Sequence, residues 1–289
     1  MKVSIIGGAG RVGSAVAYTL VSHRLVEELY LLDIAGERAA GEALDITHAL
    51  AGIEWDATIE GGDSYSGIAG SEVVIVTAGV PRKPGMSRLD LRHRNVEIVR
   101  DIAKKVAGVC DEDALLLVVS NPVDVLTYYA WKESGFPHER VFGLGTMLDT
   151  LRLKSLLRKR LGVGYEEEAY VFGEHGDSML PVFRLRENHP SEELMRIFEE
   201  VREGAARVIA WKGATWFAPA VAIARVVEAV QKGGAYPVST FIEEHRLYLG
   251  HLAEISRRGV RRAEFELTEE EARLFRRSAG VVRRAIEDV

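Results

Sequence analysis

His175 sits between glycines in Gly173-Glu174-His175-Gly176-Asp177, directly after a short apolar run. An imidazole titrates near neutrality, so it suits proton transfer at physiological pH, and a glycine-flanked turn after a strand can present it to an open cleft. The other seven histidines, His23, His48, His93, His138, His189, His245 and His251, stand in no comparable setting and read as surface or packing residues. Asp149 and Arg152 are three apart in a helical pattern, on neighbouring positions of one face. Taken alone, they make a local ion pair of little worth. A basic stretch holds Arg82, Lys83, Arg88, Arg92 and Arg94, with His93 among them and only Asp90 opposing. It is either a solvated helix face or, in a chain of net charge −6, a place where a small anion binds.

Phosphate chemistry is written nearer the start. Gly8-Ala9-Gly10-Arg11-Val12-Gly13 follows an apolar run, Lys2–Ile6, and opens a helical pattern. Glycines at this spacing permit a tight turn and close approach of the backbone to a pyrophosphate, which the following helix meets with its N-terminal N–H groups. Asp33 ends the next apolar run. Its carboxylate can accept hydrogen bonds from both ribose hydroxyls and would repel a 2′-phosphate, so NAD is expected over NADP, with Arg38 as the nearby residue that could soften that preference.

These residues need a frame. Lys2–Ile6, Glu28–Leu32, Val73–Thr77, Leu115–Val119 and Val141–Leu144 read as strands, without the strict alternation of a half-exposed sheet. Helical patterns at Val12–Ser22, Glu37–Ala49, Leu89–Val109 and Val123–Ser134 separate them. Strand–helix repetition of this kind predicts an α/β fold with an N-terminal doubly wound parallel sheet. After Gly145 the pattern changes to a helix over Leu148–Leu161, a strand at Ala169–Phe172, a long helical region from Ser191 to Lys232, a mixed segment to Phe265 and a terminal helix. Thr268 and Glu271 form a capping-box pattern at the start of that helix. The expected division is a dinucleotide-binding (Rossmann) domain over 1–145 and an α+β catalytic domain over 146–289, packed with a cleft between them.

Composition excludes several classes. With 47% hydrophobic and 28% charged residues, the 289-residue chain should fold with a packed core. No apolar run reaches the roughly 20 residues a membrane helix needs, and the apolar part of Met1–Ile6 is too short for a signal peptide. The acidic balance argues against nucleic acid. Cys110 is the sole cysteine, which rules out an internal disulfide, makes a cysteine-based metal site improbable and suits a reducing cytoplasm. Asn95, Asn121, Asn188 and Gln231 are all the side-chain amides, beside abundant arginine, a composition that fits a thermophilic source.

The ordered set Gly8–Gly13, Asp33, Val76-Thr77-Ala78-Gly79, Pro81–Arg88, Val119-Ser120-Asn121-Pro122, Leu148-Asp149-Thr150-Leu151-Arg152, Gly173–Asp177 and Lys212-Gly213-Ala214-Thr215 resembles the lactate/malate dehydrogenase family over nearly the whole chain. The resemblance implies NAD-dependent hydride transfer between a 2-hydroxy acid and its 2-oxo acid. It makes His175 the acid–base group, Asp149 the acceptor that fixes its tautomer, and Arg152 the bidentate partner of the substrate's C1 carboxylate. It makes Arg88 the residue that polarises the substrate carbonyl from a mobile loop, Asn121 a substrate-orienting amide beside the nicotinamide, and Thr215 part of the pocket wall. Gly8, Ala9, Gly10, Arg11, Val12, Gly13, Asp33, Thr77, Ala78, Gly79, Asn95, Val119, Ser120 and Asn121 are the implied cofactor contacts. In the family, malate enzymes place an arginine where Arg82 stands and lactate enzymes usually a glutamine, so the implied substrate is a small dicarboxylate, malate or oxaloacetate. On this reading Arg82 and Arg88 belong to the site, while Arg92 and Arg94 face solvent. A lactate or broad 2-hydroxy acid dehydrogenase and a non-catalytic NAD-binding module are the competing readings. The family also implies a homo-oligomer, tetramer or dimer. The segment Phe241–Ser256 departs from the family pattern, which puts strand pairing and subunit contacts there in question.

Overall fold

The computed structural model describes residues 1–80 and 88–289, with Arg88 described in its backbone alone. Arg82 and the Arg88 side chain therefore lie outside the described residues. The first half runs β1 (Lys2–Ile6), α1 (Arg11–Ser22), β2 (Glu28–Leu32), α2 (Gly36–Ile53), β3 (Thr58–Gly62), β4 (Val73–Val76), α3 (Arg88–Ala107), β5 (Leu115–Val118), α4 (Val123–Ser134) and β6 (Val141–Gly143). These six strands pair in parallel in the order β3-β2-β1-β4-β5-β6, so the order reverses between β1 and β4. The crevice outside the strands' carboxyl ends at such a reversal is where doubly wound sheets bind ligands.

The apolar runs behave as strands because both faces are covered. Val3 and Ile5, Val73 and Ile75, Leu115 and Leu117 enter one core with Val16 of α1 and Ala39 of α2. The intervening Ile6, Val74, Val76, Leu116 and Val118 enter a second core with Val96 of α3 and Leu126 of α4. Alternation persists in space, but both faces want apolar side chains, which removes it from the sequence. Strand β3 (Thr-Ile-Glu-Gly-Gly) escapes the pattern for the opposite reason: it is an exposed edge strand with two glycines and little apolar signal.

The second half runs α5 (Met147–Leu161), β7 (Glu168–Phe172), β8 (Leu180–Arg184), α6 (Ser191–Lys212), α7 (Phe217–Lys232), β9 (Gly234–Ile242), β10 (Leu247–Ser256), β11 (Gly259–Arg262) and α8 (Glu269–Glu287). Strands β9 to β11 do not make a separate sheet; they extend the parallel sheet beyond β6 in antiparallel order. The junction is a single register pair, Gly143 with Ser239. The divergent segment Phe241–Ser256 keeps its pairing, with Ile242 opposite Leu247 across a tight hairpin. The long helical region breaks into two at Gly213, which takes a left-handed conformation at the end of α6. At α8, Thr268 accepts from the Glu271 backbone N–H while the Glu271 carboxylate accepts from Thr268, the anticipated capping box. Among the described residues no helix is long and apolar enough to cross a membrane.

Candidate active site

The glycine turn joins β1 to α1. Gly7 takes φ of +90°, a left-handed conformation open to glycine at little cost, and a Cβ on Gly13 would stand 2.3 Å from the Gly7 carbonyl oxygen. The turn is thus packed by glycine against glycine, with α1 drawn over it. Gly10 caps α1 without a side-chain partner, leaving the first helical N–H groups for an anion. Asp33, just past β2, accepts from the Ala9 N–H at 3.1 Å through one oxygen and from the Ala35 N–H at 3.0 Å through the other. Each oxygen keeps a lone pair for a ribose hydroxyl. Arg38 is exposed, its nearest acidic partner being Glu42 at 3.8 Å. A backbone cradle that a Cβ would fill, an uncapped helix start and a carboxylate at the next strand's end fit the phosphate and ribose parts of NAD.

The next two strand ends carry the remaining cofactor residues. Thr77 Oγ1 donates to the carbonyls of Ile6 and Gly7, and Ser120 Oγ to that of Ala78. These bonds stitch β1, β4 and β5 together above the crevice. Asn95 is buried, and its amide is engaged at both ends: Oδ1 accepts from the Val80 N–H and Nδ2 donates to the Asn121 carbonyl, each at 2.9 Å. The side chain expected to touch cofactor directly thus clamps together the loops that carry Gly79 and Asn121. Arg92, expected in solvent, donates instead to the Ala285 carbonyl of α8 at 3.2 Å and pairs with Asp288, the residue that ends that helix, at 3.4 Å. Arg94 is exposed, as anticipated.

A cavity of about 390 Å³ opens beside this crevice. It is lined by Val12, Val119, Asn121, Asp149, Arg152, His175 and Thr215, so it gathers residues expected from separate stretches of the chain. His175 Nδ1 lies 2.5 Å from Asp149 Oδ2, and Arg152 donates to Asp149 Oδ1 at 2.9 Å. The Asp149–Arg152 ion pair on one helix face is therefore real, and it is also one link of a longer chain. Burial pushes the Asp149 carboxyl up, but the charge and hydrogen bond of His175, with those of Arg152, outweigh it and hold the group low. Burial pulls the His175 imidazole down, but Asp149, and after it the charge of Asp124, win and raise it. With Nδ1 committed to Asp149, Nε2 is the nitrogen left to exchange a proton with something in the cavity.

Several contributors carried no sequence signal. Arg202 and Ile209 of α6 and Met179 complete the cavity wall, and Arg202 donates to the Asp177 carbonyl at 3.0 Å. The guanidinium of Arg11 lies over the Trp216 ring at 5.4 Å, tying the glycine turn to the segment that carries Thr215. Gly7 could have been found from the Gly7-Gly8 doublet; the others come from distant parts of the chain with no telling spacing.

A glycine-turn crevice at a sheet's reversal point, opening onto a cavity with a carboxylate-held histidine and an arginine, defines an NAD-dependent dehydrogenase. Residues 1–143 match the lactate/malate dehydrogenase NAD-binding domain and residues 146–289 the lactate/malate dehydrogenase alpha/beta C-terminal domain, and the chain belongs to that family. A malate dehydrogenase of Archaeoglobus fulgidus is 43% identical, over 100% of this chain and 99% of its own. An L-lactate dehydrogenase 2 of Bacillus cereus is 37% identical, over 99% and 97%. Among solved structures, the A. fulgidus malate dehydrogenase in complex with NADH superimposes with a TM-score of 0.93 at 42% identity, covering 100% of this chain and 99% of that one. A lactate dehydrogenase from a deep-sea metagenome library reaches a TM-score of 0.94 at 34% identity, covering 99% and 98%.

Proposed function

We propose that the protein interconverts malate and oxaloacetate, with NAD as redox partner. The observation that carries the reading is the Arg152–Asp149–His175 chain lining one cavity with Asn121 and Thr215. NAD, held by Gly8–Gly13, Asp33 and the ends of β4 and β5, supplies the hydride acceptor. His175 Nε2 takes the proton from the substrate hydroxyl, and Asp149 stabilises the imidazolium so formed. The Arg152 fork holds the C1 carboxylate bidentately while its NH1 stays on Asp149. Asn121 orients the substrate. Arg88 polarises the carbonyl in the reverse direction, and Arg82 pairs with the second carboxylate. Malate dehydrogenase relatives support the dicarboxylate, as does the Arg82-bearing segment of the sequence.

The L-lactate dehydrogenase relatives favour a second reading, a broader 2-hydroxy acid enzyme. Rates of NADH oxidation with oxaloacetate and with pyruvate separate the two. An unpaired arginine in a closed site predicts a preference for oxaloacetate of about a hundredfold or more. Comparable rates would leave the dehydrogenase and remove malate as its substrate. NADH binding without turnover would instead indicate a non-catalytic module.

The same proposal covers the division of the chain at 145/146, supported by the two matched ranges. It includes assembly into a homo-oligomer, tetramer or dimer, supported by Trp211 and Phe217 at 82% and 67% exposure on α6 and α7. Light scattering tests this. A cytoplasmic setting is supported by the single cysteine, Cys110, which leaves no pair for an internal disulfide. A thermophilic source predicts a melting temperature above about 65 °C.

A further inference from the structure

The loop that carries His175 is tied down through three successive backbone N–H groups. Gly173 donates to the Gly250 carbonyl of β10 at 2.8 Å, Glu174 to Ser278 Oγ of α8 at 2.7 Å, and His175 to Asp124 Oδ2 of α4 at 2.8 Å. The first two acceptors are neutral. The third is a carboxylate with 2% exposure, held from its other side by Ser239 Oγ on Oδ1 at 2.5 Å. Ser239 is itself fully buried, at the one register pair joining β6 to β9. A carboxylate accepts from Ser239 and from the His175 N–H at once and more strongly than a neutral group would, and a buried carboxylate is expensive unless its charge has a use.

We propose that Asp124 is a second positioning carboxylate for His175, acting on its backbone as Asp149 acts on its ring. The proposal rests on the reading of His175 as the acid–base group. Asp124 lies in the first turn of α4, where the helix dipole favours a negative charge. Ser239 fixes its orientation relative to the sheet, so the His175 backbone is referenced to the junction between the two parts of the sheet. Asp124 also favours the imidazolium electrostatically. Burial pushes its carboxyl up to about 6, while the Ser239 and His175 hydrogen bonds pull it down. Among the described residues, Asp149 and Arg152 from α5 are the other charges acting on His175, Glu174 of its own loop acts on Asp124, and Arg202 of α6 lines the same cavity, so Asp124 supplies the charge from α4.

The test compares Asp124→Asn, Ser239→Ala and His175→Asn in the full-length protein, with NADH affinity, kcat, KM, melting temperature and the pH profile of kcat/KM as readouts. In Asp124→Asn, NADH affinity should hold within about twofold while kcat falls about 10- to 100-fold, the scale of a small misplacement of a reacting group. The pH limb that reports His175 should move to lower pH, because a charge favouring the imidazolium is gone. Ser239→Ala frees the carboxylate and removes a hydrogen bond that favours its charge, so kcat should fall about fivefold and the limb should move the same way by less. A folded Asp124→Asn enzyme with wild-type kcat, or with an unmoved limb, overturns the proposal and leaves Asp124 a structural residue. Should that variant fail to fold, Ser239→Ala decides, and a kcat within about twofold of wild type overturns it. Loss of turnover in His175→Asn while the other two are unaffected sinks this inference alone. Retained turnover in His175→Asn sinks the acid–base reading itself.

Discussion

Asp149 Oδ2 stands 2.5 Å from His175 Nδ1, and the carboxylate that makes this contact is 3% exposed. A buried anion beside an imidazole does two things at once. It holds the proton on Nδ1, so Nε2 presents its lone pair to the cavity, and it stabilises the ring when Nε2 is protonated. Asp149→Asn should keep the shape and lose both effects. We expect kcat to fall about 10²- to 10⁴-fold with NADH affinity unchanged. Steady-state rates beside NADH fluorescence titration check this, and a variant retaining a third or more of wild-type kcat would refute the role given to Asp149.

The raised His175 pKa fixes a direction for the pH dependence. Oxaloacetate reduction needs the imidazolium, so its rate is full at low pH and lost as pH rises through the folded pKa, above the ordinary 6.5. Malate oxidation needs the neutral ring and rises through the same pH. The stability term has the sign of a raised histidine: present below the unfolded pKa and lost as pH rises through the folded one. Profiles of kcat/KM in both directions should share one midpoint above 6.5; a midpoint below it contradicts the assignment.

On the proposed reading, cofactor choice rests on Asp33. Its oxygens accept the Ala9 and Ala35 N–H groups, so the side chain both shapes the glycine turn and places negative charge where a 2′-phosphate would go. Asp33→Ser should lower kcat/KM with NAD about tenfold and raise it with NADP, narrowing the gap, because repulsion is removed while a hydroxyl keeps part of the hydrogen bonding. An unchanged NAD/NADP ratio would show that discrimination lies elsewhere.

Legibility in the sequence followed the range of the physics involved. The runs at β4 and β5 announce themselves because burial on two faces needs consecutive apolar residues, and those at β1 and β2 because only Ser4 and Tyr30 interrupt theirs. Arg152 and Asp149 are legible because one helical turn joins them. Asp124 and His175 are 51 positions apart, and Asp124 and Ser239 are 115 apart, so only the packing of α4 under the sheet junction brings them together. Strand β8 contains Pro181 and pairs only with β7, which hides it from a pattern tuned to central strands. Asn95 is singled out by the family resemblance alone, and its double backbone contact is not legible in the sequence, since Val80 and Asn121 meet it from two different strand ends.

His251 offers a test of stability alone. It is fully buried against Phe172 and Phe275, its Nε2 without a hydrogen-bond partner among the described residues, and burial pulls its pKa down to about 4. A depressed histidine leaves the unfolded chain to bind the proton first, so stability falls as pH drops from 6.5 towards 4 and levels off below. The shift corresponds to about 3 kcal/mol. His251→Leu should lose less stability than wild type over that interval, as read from urea midpoints at several pH values. Parallel curves for the two proteins would mean that His251 takes up its proton in the folded state.

Arg152→Lys separates charge from geometry. Arg152 NH1 donates to Asp149 Oδ1 at 2.9 Å, and its side chain is 17% exposed, lining the cavity. A lysine keeps the positive charge near Asp149, so the carboxylate stays ionised and the His175 limb should stay in place. What it cannot reproduce is the planar fork that bonds Asp149 and still faces a carboxylate with parallel N–H groups. We expect kcat/KM for oxaloacetate to fall about 10²- to 10³-fold, mostly through KM, with NADH affinity and the pH midpoint unchanged. That result would contrast with Asp149→Asn, whose loss falls on kcat. A moved pH midpoint in Arg152→Lys would show that the arginine acts on His175 through Asp149, and an unchanged KM would remove it from substrate binding.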